Sequence, residues 1–182
     1  AERNGYYNDV VNNTVIFNQS FNQQLEASGG GLYIAGAASL DIGGLSPGAG
    51  SVTLINNLIQ GNLAGAGYGG GIRLDQINGE DVETAPEYPD AWHIVRMFNN
   101  TIVNNVAGNA GGGISMQDAA NVVMVHNTIA RNDSVGTAGT IFEALPPSQS
   151  TPQPAGVVSH GHSPALAAIL APLAGGNQYE PS

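Results

Sequence analysis

Short apolar runs alternate with asparagines in a pattern that returns four times along the chain. Asn13, Asn57, Asn100 and Asn127 form one column, and five residues later Asn18, Asn62, Asn105 and Asn132 form a second, with no gap inside that step. Between the columns lies an apolar position, Val15, Ile59, Ile102 and Ile129. Two residues ahead of the first column lie Val11, Ile55, Phe98 and Val125. Apolar residues at period two predict short β-strands. A glycine cluster follows in each copy: Gly29-Gly30-Gly31-Leu32, Gly69-Gly70-Gly71-Ile72, Gly111-Gly112-Gly113-Ile114, and a degraded Ala138-Gly139-Thr140-Ile141. The third and fourth copies align without a gap from Asn100 to Ile114 and from Asn127 to Ile141.

Successive first-column asparagines are about 44, 43 and 27 residues apart, a period that indicates a solenoid of stacked coils. The shortest copy approximates one bare coil. The longer two carry insertions at Ala35 to Gly50 and Asp75 to Trp92, both between the glycine-rich strand and the next asparagine strand. They are therefore expected to project from one edge of the stack. Identical residues on parallel coils about 4.8 Å apart lie directly over one another, and asparagine can both donate and accept along such a ladder. A buried asparagine without partners costs on the order of 1 to 3 kcal/mol, so its return in every copy predicts that the ladder is made. The glycines admit positive φ at a tight bend and let coils approach without a side chain between them.

The pairing of Gly-Gly-Gly-Ile with Ile-x-x-Asn, in Ile59-Gln60-Gly61-Asn62, Ile102-Val103-Asn104-Asn105 and Ile129-Ala130-Arg131-Asn132, resembles repeats of large secreted bacterial proteins of the pectin-lyase-like β-helix superfamily. It is also similar to the paired Gly-Gly-Ala-Ile and Phe-x-x-Asn motifs of polymorphic outer-membrane proteins. The likeness runs from Val10 to Glu143. It implies an all-β, right-handed parallel β-helix of about four coils with loop insertions. It leaves function open, because that superfamily holds polysaccharide lyases, glycoside hydrolases, adhesins and passenger domains.

Composition narrows the choice. The formal charge is −10, lysine is absent, and the four basic residues are Arg3, Arg73, Arg96 and Arg131, so a phosphate backbone would be repelled. Charged residues make up only 10% of the chain while glycine reaches 26 of 182, as in repetitive secreted β proteins. The absence of cysteine excludes disulfide scaffolds and thiolate metal sites and decides little else. No apolar run approaches the roughly 20 residues of a membrane span. The chain is expected to be a piece of a longer protein.

Residues 1–143 read as β-helix coils and 144–156 as a proline-rich connector. Residues 157–182 read as a tail that packs on the solenoid or continues it. In the tail Gly156-Val157-Val158-Ser159 fits one strand, and Ser163-Pro164 offers an N-cap and a first-turn proline for a short C-terminal helix from Ala165 to Leu170.

The candidate chemistry is sparse, and no catalytic residue is assigned. The resemblance implies, for a lyase, a basic residue beside clustered carboxylates that hold Ca²⁺; with no lysine, Arg73 and Arg96 are the substitutes, and both also read as surface arginines. For a hydrolase it implies paired aspartates. Asp75 and Asp118, which follow the glycine-rich strand in two copies, fit that role or simply begin turns. Asp75, Glu80, Asp81 and Glu83, with Glu87 and Asp90 nearby, supply oxygen ligands for Ca²⁺ if the second insertion folds on itself; otherwise it is a solvated acidic loop. Tyr88 and Trp92 flank Pro89 and offer a sugar platform together with Arg73, or else anchor the loop. His160 and His162 would share one face of a strand and a metal, or sit in a solvated turn, and His93 and His126 read as surface or turn residues. The sequons at Asn12, Asn18, Asn99 and Asn132 read as by-products of the repeat.

A β-helix without catalytic residues, whose coil ends must be covered by further chain or another subunit, points to a secreted or cell-surface scaffold: an adhesin, envelope or filament component. Its partners would be other protein subunits or the remainder of a longer chain, with carbohydrate as a further possibility. The alternative is a polysaccharide-acting enzyme or carbohydrate-binding module.

Overall fold

Each copy of the repeat is cut into four short strands by bends that demand a left-handed residue. The structure, a computed structural model, describes residues 7–21, 27–136 and 153–173. The first copy supplies β1 (Tyr7–Val11), β2 (Thr14–Ile16), β3 (Gln19–Ser20) and β4 (Leu32–Ala35). The second supplies β5 (Ser51–Ile55), β6 (Leu58–Gln60), β7 (Leu63–Ala64) and β8 (Ile72–Asp75), followed by a helix α1 (Glu80–Thr84) and a single 3-10 turn (Pro89–Ala91). The third supplies β9 (Val95–Phe98), β10 (Thr101–Val103), β11 (Val106–Ala107) and β12 (Ile114–Gln117). The fourth supplies β13 (Val122–Val125), β14 (Thr128–Ala130), β15 (Asp133–Ser134) and β16 (Val157–Ser159), then α2 (Pro164–Leu170) and a 3-10 turn (Ala171–Leu173).

These strands form four all-parallel, four-stranded sheets in the orders β1-β5-β9-β13, β2-β6-β10-β14, β3-β7-β11-β15 and β4-β8-β12-β16. The chain thus visits the four sheets in turn, four times over. Register is the repeat itself: Val15, Ile59, Ile102 and Ile129 lie opposite one another, as do Ile34, Leu74 and Met116.

The bends explain why the strands stop. The residue ahead of each first-column asparagine is left-handed: Asn12, Asn56, Asn99 and His126 have φ of 58°, 54°, 55° and 57°. So is the residue ahead of each second-column asparagine, Phe17, Gly61, Asn104 and Arg131. Asparagine, histidine and glycine are the residues that enter this region most readily. The glycine-rich turn meets a different need. A Cβ at Gly70 would be driven into the Val106 carbonyl, and one at Gly112 into the Asp133 carbonyl, so these turns close only without a side chain.

Val52, Leu54, Ile59, Ile72, Leu74, Val95, Met97, Ile102 and Ile114 are fully buried and form the core. All belong to the second and third circuits. The equivalent Val10, Val15, Leu32 and Ile34 in the first circuit and Val122 and Ile129 in the fourth are only partly covered. The apolar column Val11, Ile55, Phe98 and Val125 turns outward, since it neighbours the inward Leu54 and Met97, and Val11 and Val125 are exposed.

The fourth copy departs from the ungapped alignment. Ala138 to Ile141 and most of the proline-rich segment lie outside the described residues, and the place opposite Ile114 is taken by Val157. Pro154 O and Ala155 O, at the end of the segment read as connector, already accept the Gly111 and Gly113 amides. The C-terminal helix forms one residue before the expected start, and Leu166 is buried. Its Ser163 makes no side-chain cap. Among the described residues no helix is long and apolar enough to cross a membrane.

Candidate functional site

The recurring asparagines are spent on the backbone. In the first column the Asn57 main-chain amide and Nδ2 donate to Asn100 Oδ1 at 3.0 and 2.9 Å, and the second Nδ2 proton goes to Val10 O at 2.8 Å. Asn100 repeats the arrangement with Asn127 Oδ1 and Leu54 O. In the second column Asn62 donates to Asn105 Oδ1 and Val15 O, and Asn105 to Asn132 Oδ1 and Ile59 O. Asn57, Asn62, Asn100 and Asn105 are buried, with every side-chain donor and acceptor engaged. None is available to a ligand.

Arg73 is central to a second polar cluster. It alternates with inward Ile72 and Leu74, so it leaves the core on the outer side of β8, yet it is only 4% exposed. Nη1 donates to Ser115 Oγ at 2.9 Å, while Nη2 donates to Gln117 Oε1 at 2.8 Å and Asp75 Oδ1 at 3.3 Å. The guanidinium also lies 5.4 Å from the centroid of the Tyr68 ring, a cation–π distance. Tyr68 in turn meets His160 edge-on. Nε has no hydrogen-bond partner among the described residues. Because Ser115 Oγ accepts from Arg73, its own proton is free for His160 Nε2, 3.0 Å away. That resembles a nucleophile with its base, but Ser115 is fully buried and no substrate carbonyl could reach it.

The insertion edge is built differently. The return limb of the first insertion lies on the second: Glu80 N donates to Ser46 O, and Ala49 N to Ile77 O. Asp81 closes the second insertion at its base by accepting from Gly79 N, Asn78 Nδ2 and His93 N at 2.7 to 2.8 Å. Asn78, itself buried, accepts from Ala120 N and so ties this insertion to the link before the fourth circuit. Trp92 Nε1 donates to Ala85 O, which makes Trp92 a strut of the loop. Tyr88 is 69% exposed. A hollow of about 370 Å³ opens here, with Asp41, Glu80 and Glu83 on one side and Ala165 and Ile169 of α2 on the other.

The four carboxylates considered for Ca²⁺ are therefore spread over three places. Asp75 faces Arg73 and the Tyr33 hydroxyl, Asp81 is taken up by amides, and Glu80 and Glu83 line the hollow. Among the described residues no three histidines or carboxylates converge as a metal set. Arg73, Tyr88 and Trp92 do not form one platform either, since the first is buried and the last is bonded within its loop. Arg96 is exposed on β9.

Asp75 and Asp118 are not equivalent positions. Asp75 pairs with Gln117, and Asp118 lies one residue beyond, at a left-handed bend. Asp118 accepts the Ser163 amide at 2.6 Å and has His162 Nδ1 at 3.5 Å, so it fastens the approach to α2. Burial raises its pKa, but His162 and the Ser163 amide outweigh that and hold it below the ordinary carboxylate value.

No known protein family, curated protein or solved structure matches this chain. Sequence reasoning missed Asn78, Ser115 and the fastening role of Asp118, because each acts through a partner distant in sequence. One signal was available: Ser115 shares a register column with Arg73, two residues past its glycine turn.

Proposed function

We propose that the chain is a segment of right-handed parallel β-helix that serves as a non-catalytic, secreted or cell-surface scaffold, in an adhesin, envelope layer or filament. The observation that carries this reading is the use made of the polar groups. The buried asparagines, Arg73, Ser115 and Asp118 all bond neighbouring circuits or the tail, while Glu80, Glu83 and Tyr88 stay open along the insertion edge. A stack held in this way is stiff along its axis and tolerates variation on one edge, which suits a surface that others contact. The four circuits, the parallel register and the laddered asparagines support the β-helix assignment, and the low charge and high glycine content support export.

Fractionation of the native host with protease shaving tests it. The scaffold reading expects the chain in the surface or secreted fraction and expects purified protein to leave acidic polysaccharides intact, with or without Ca²⁺. Turnover of such a polysaccharide, abolished by Arg73→Ala in protein that still folds, would replace it with an enzymatic reading.

A further inference from the structure

The outer face of the sheet β1-β5-β9-β13 repeats an apolar residue where a wet surface would suit a polar one. Val52 and Leu54 on β5, with Val95 and Met97 on β9, point into the core, so the residues that alternate with them point out. One outward column is Val11, Ile55, Phe98 and Val125, in register and apolar in all four circuits. Val11 is 42% and Val125 39% exposed, so the column is open to solvent. Two residues earlier in each strand runs the column Asp9, Thr53, Arg96 and Val123. Asp9 and Arg96 are exposed and stand on the first and third circuits. Their side chains make no hydrogen bond or ion pair among the described residues. Further circuits at either end of the stack would lengthen this face without covering it.

The two charges make the face complementary to itself. A two-fold axis lying between two copies, parallel to the strands and level with β5, sets them face to face with their stacks antiparallel. The first circuit of each copy then meets the third circuit of the other. Asp9 falls opposite Arg96 of the second copy, Arg96 opposite Asp9, Val11 opposite Phe98, and Ile55 opposite Ile55. Sheets packed in this way lie about 10 Å apart, a gap that an arginine and an aspartate side chain together span. Other placements fare worse. Parallel stacks bring Asp9 level with Asp9 and Arg96 level with Arg96, and an axis between β5 and β9 leaves Asp9 against Val123.

We infer that this face pairs two copies of the chain side by side, with the apolar column at the centre of the contact and an Asp9–Arg96 pair on each side of the axis. Such a contact uses the same patch twice and closes at the dimer. The net charge of −10 opposes any approach of one copy to another. At about 0.15 M salt that repulsion is screened beyond roughly 8 Å, and the opposed pairs and the apolar column decide. The inference rests on the scaffold reading and names that scaffold's lateral partner as a second copy.

Sedimentation velocity of the 182-residue chain over a concentration series at that ionic strength tests the inference. The expected result is a weight-average sedimentation coefficient that climbs with concentration to a plateau at the dimer. Asp9→Arg and Arg96→Asp each turn both attractions into repulsions, so each variant alone should associate at least about tenfold more weakly. An equimolar mixture of the two should dimerise as the wild type does, because each supplies the charge that the other lacks. Ile55→Asp, which sets two carboxylates against each other on the axis, should also weaken the dimer, and neither charge variant should rescue it. Cooperative melting of each variant shows that the fold is kept. Wild-type protein that stays monomeric at every concentration while melting cooperatively would overturn the inference and leave the surface scaffold standing. Association that runs past the dimer, or a mixture of the two charge variants that stays monomeric, would overturn it too. Only turnover of polysaccharide would bring down the scaffold reading itself.

Discussion

At the residue scale the molecule depends on asparagines that each hold two circuits. Asn105 accepts the amide and Nδ2 of Asn62 and donates to Asn132 and Ile59 O, so truncation strands several buried groups at once. Asn105→Ala is expected to destabilise the fold by at least about 3 kcal/mol in urea melts, and Asn13→Ala, exposed at the end of its column, by less than about 1 kcal/mol. Equal losses at the two positions would count against the ladder. The two columns were legible in the sequence because an inward polar residue must recur to be satisfied. The left-handed residue ahead of each was not, because Asn12, Asn56 and Asn99 share that place with His126, and Phe17, Gly61, Asn104 and Arg131 share no chemistry. Asp118 is a second case, since its partners come from the tail. With its folded pKa lowered, its contribution is fully present above its unfolded value of about 3.9 and is lost as pH falls through the lower folded value. Thermal melts should show Asp118→Asn less stable than wild type at pH 7, with the difference shrinking below about pH 4. A difference that persists unchanged at pH 2 would mean that the carboxylate charge is not what fastens the tail.

At the scale of elements, close approach decides what each glycine turn tolerates. Gly70→Ala would press a methyl group onto the Val106 carbonyl and should cost on the order of 2 kcal/mol or more, whereas Gly161→Ala, with open space around it and ordinary φ, should stay within about 0.5 kcal/mol. Near-equal melting temperatures for the two variants would contradict the packing described. The glycine-rich strands of the first three copies could be read directly. The fourth could not, because its insertion falls before the strand, and Gly156-Val157 completes the circuit with one glycine where the others have three. The insertions were legible as loops on one edge. Their internal bracing was not, since Asp81 and Trp92 act as struts through amides and a carbonyl, and sequence spacing does not reveal such bonds.

At the scale of the whole molecule, burial follows position in the stack more closely than residue type. The second and third circuits hold the fully buried core, and the same columns are half-open in the first and fourth. This gradient follows from stacking, because an inner circuit is covered by a neighbour on each face. The whole stack depends on each circuit lying on the next in asparagine register. Because the chain has no cysteine, that register can be read by an engineered cross-link. Thr53 and Arg96 are paired on the outward side of β5 and β9, and parallel neighbours about 4.8 Å apart fall within the range a disulfide spans. Thr53→Cys with Arg96→Cys should oxidise rapidly within one chain. Thr53→Cys with Met97→Cys, one residue out of step and facing inward, should not. Cross-linking in the second pair without the first would contradict the register and with it the stack.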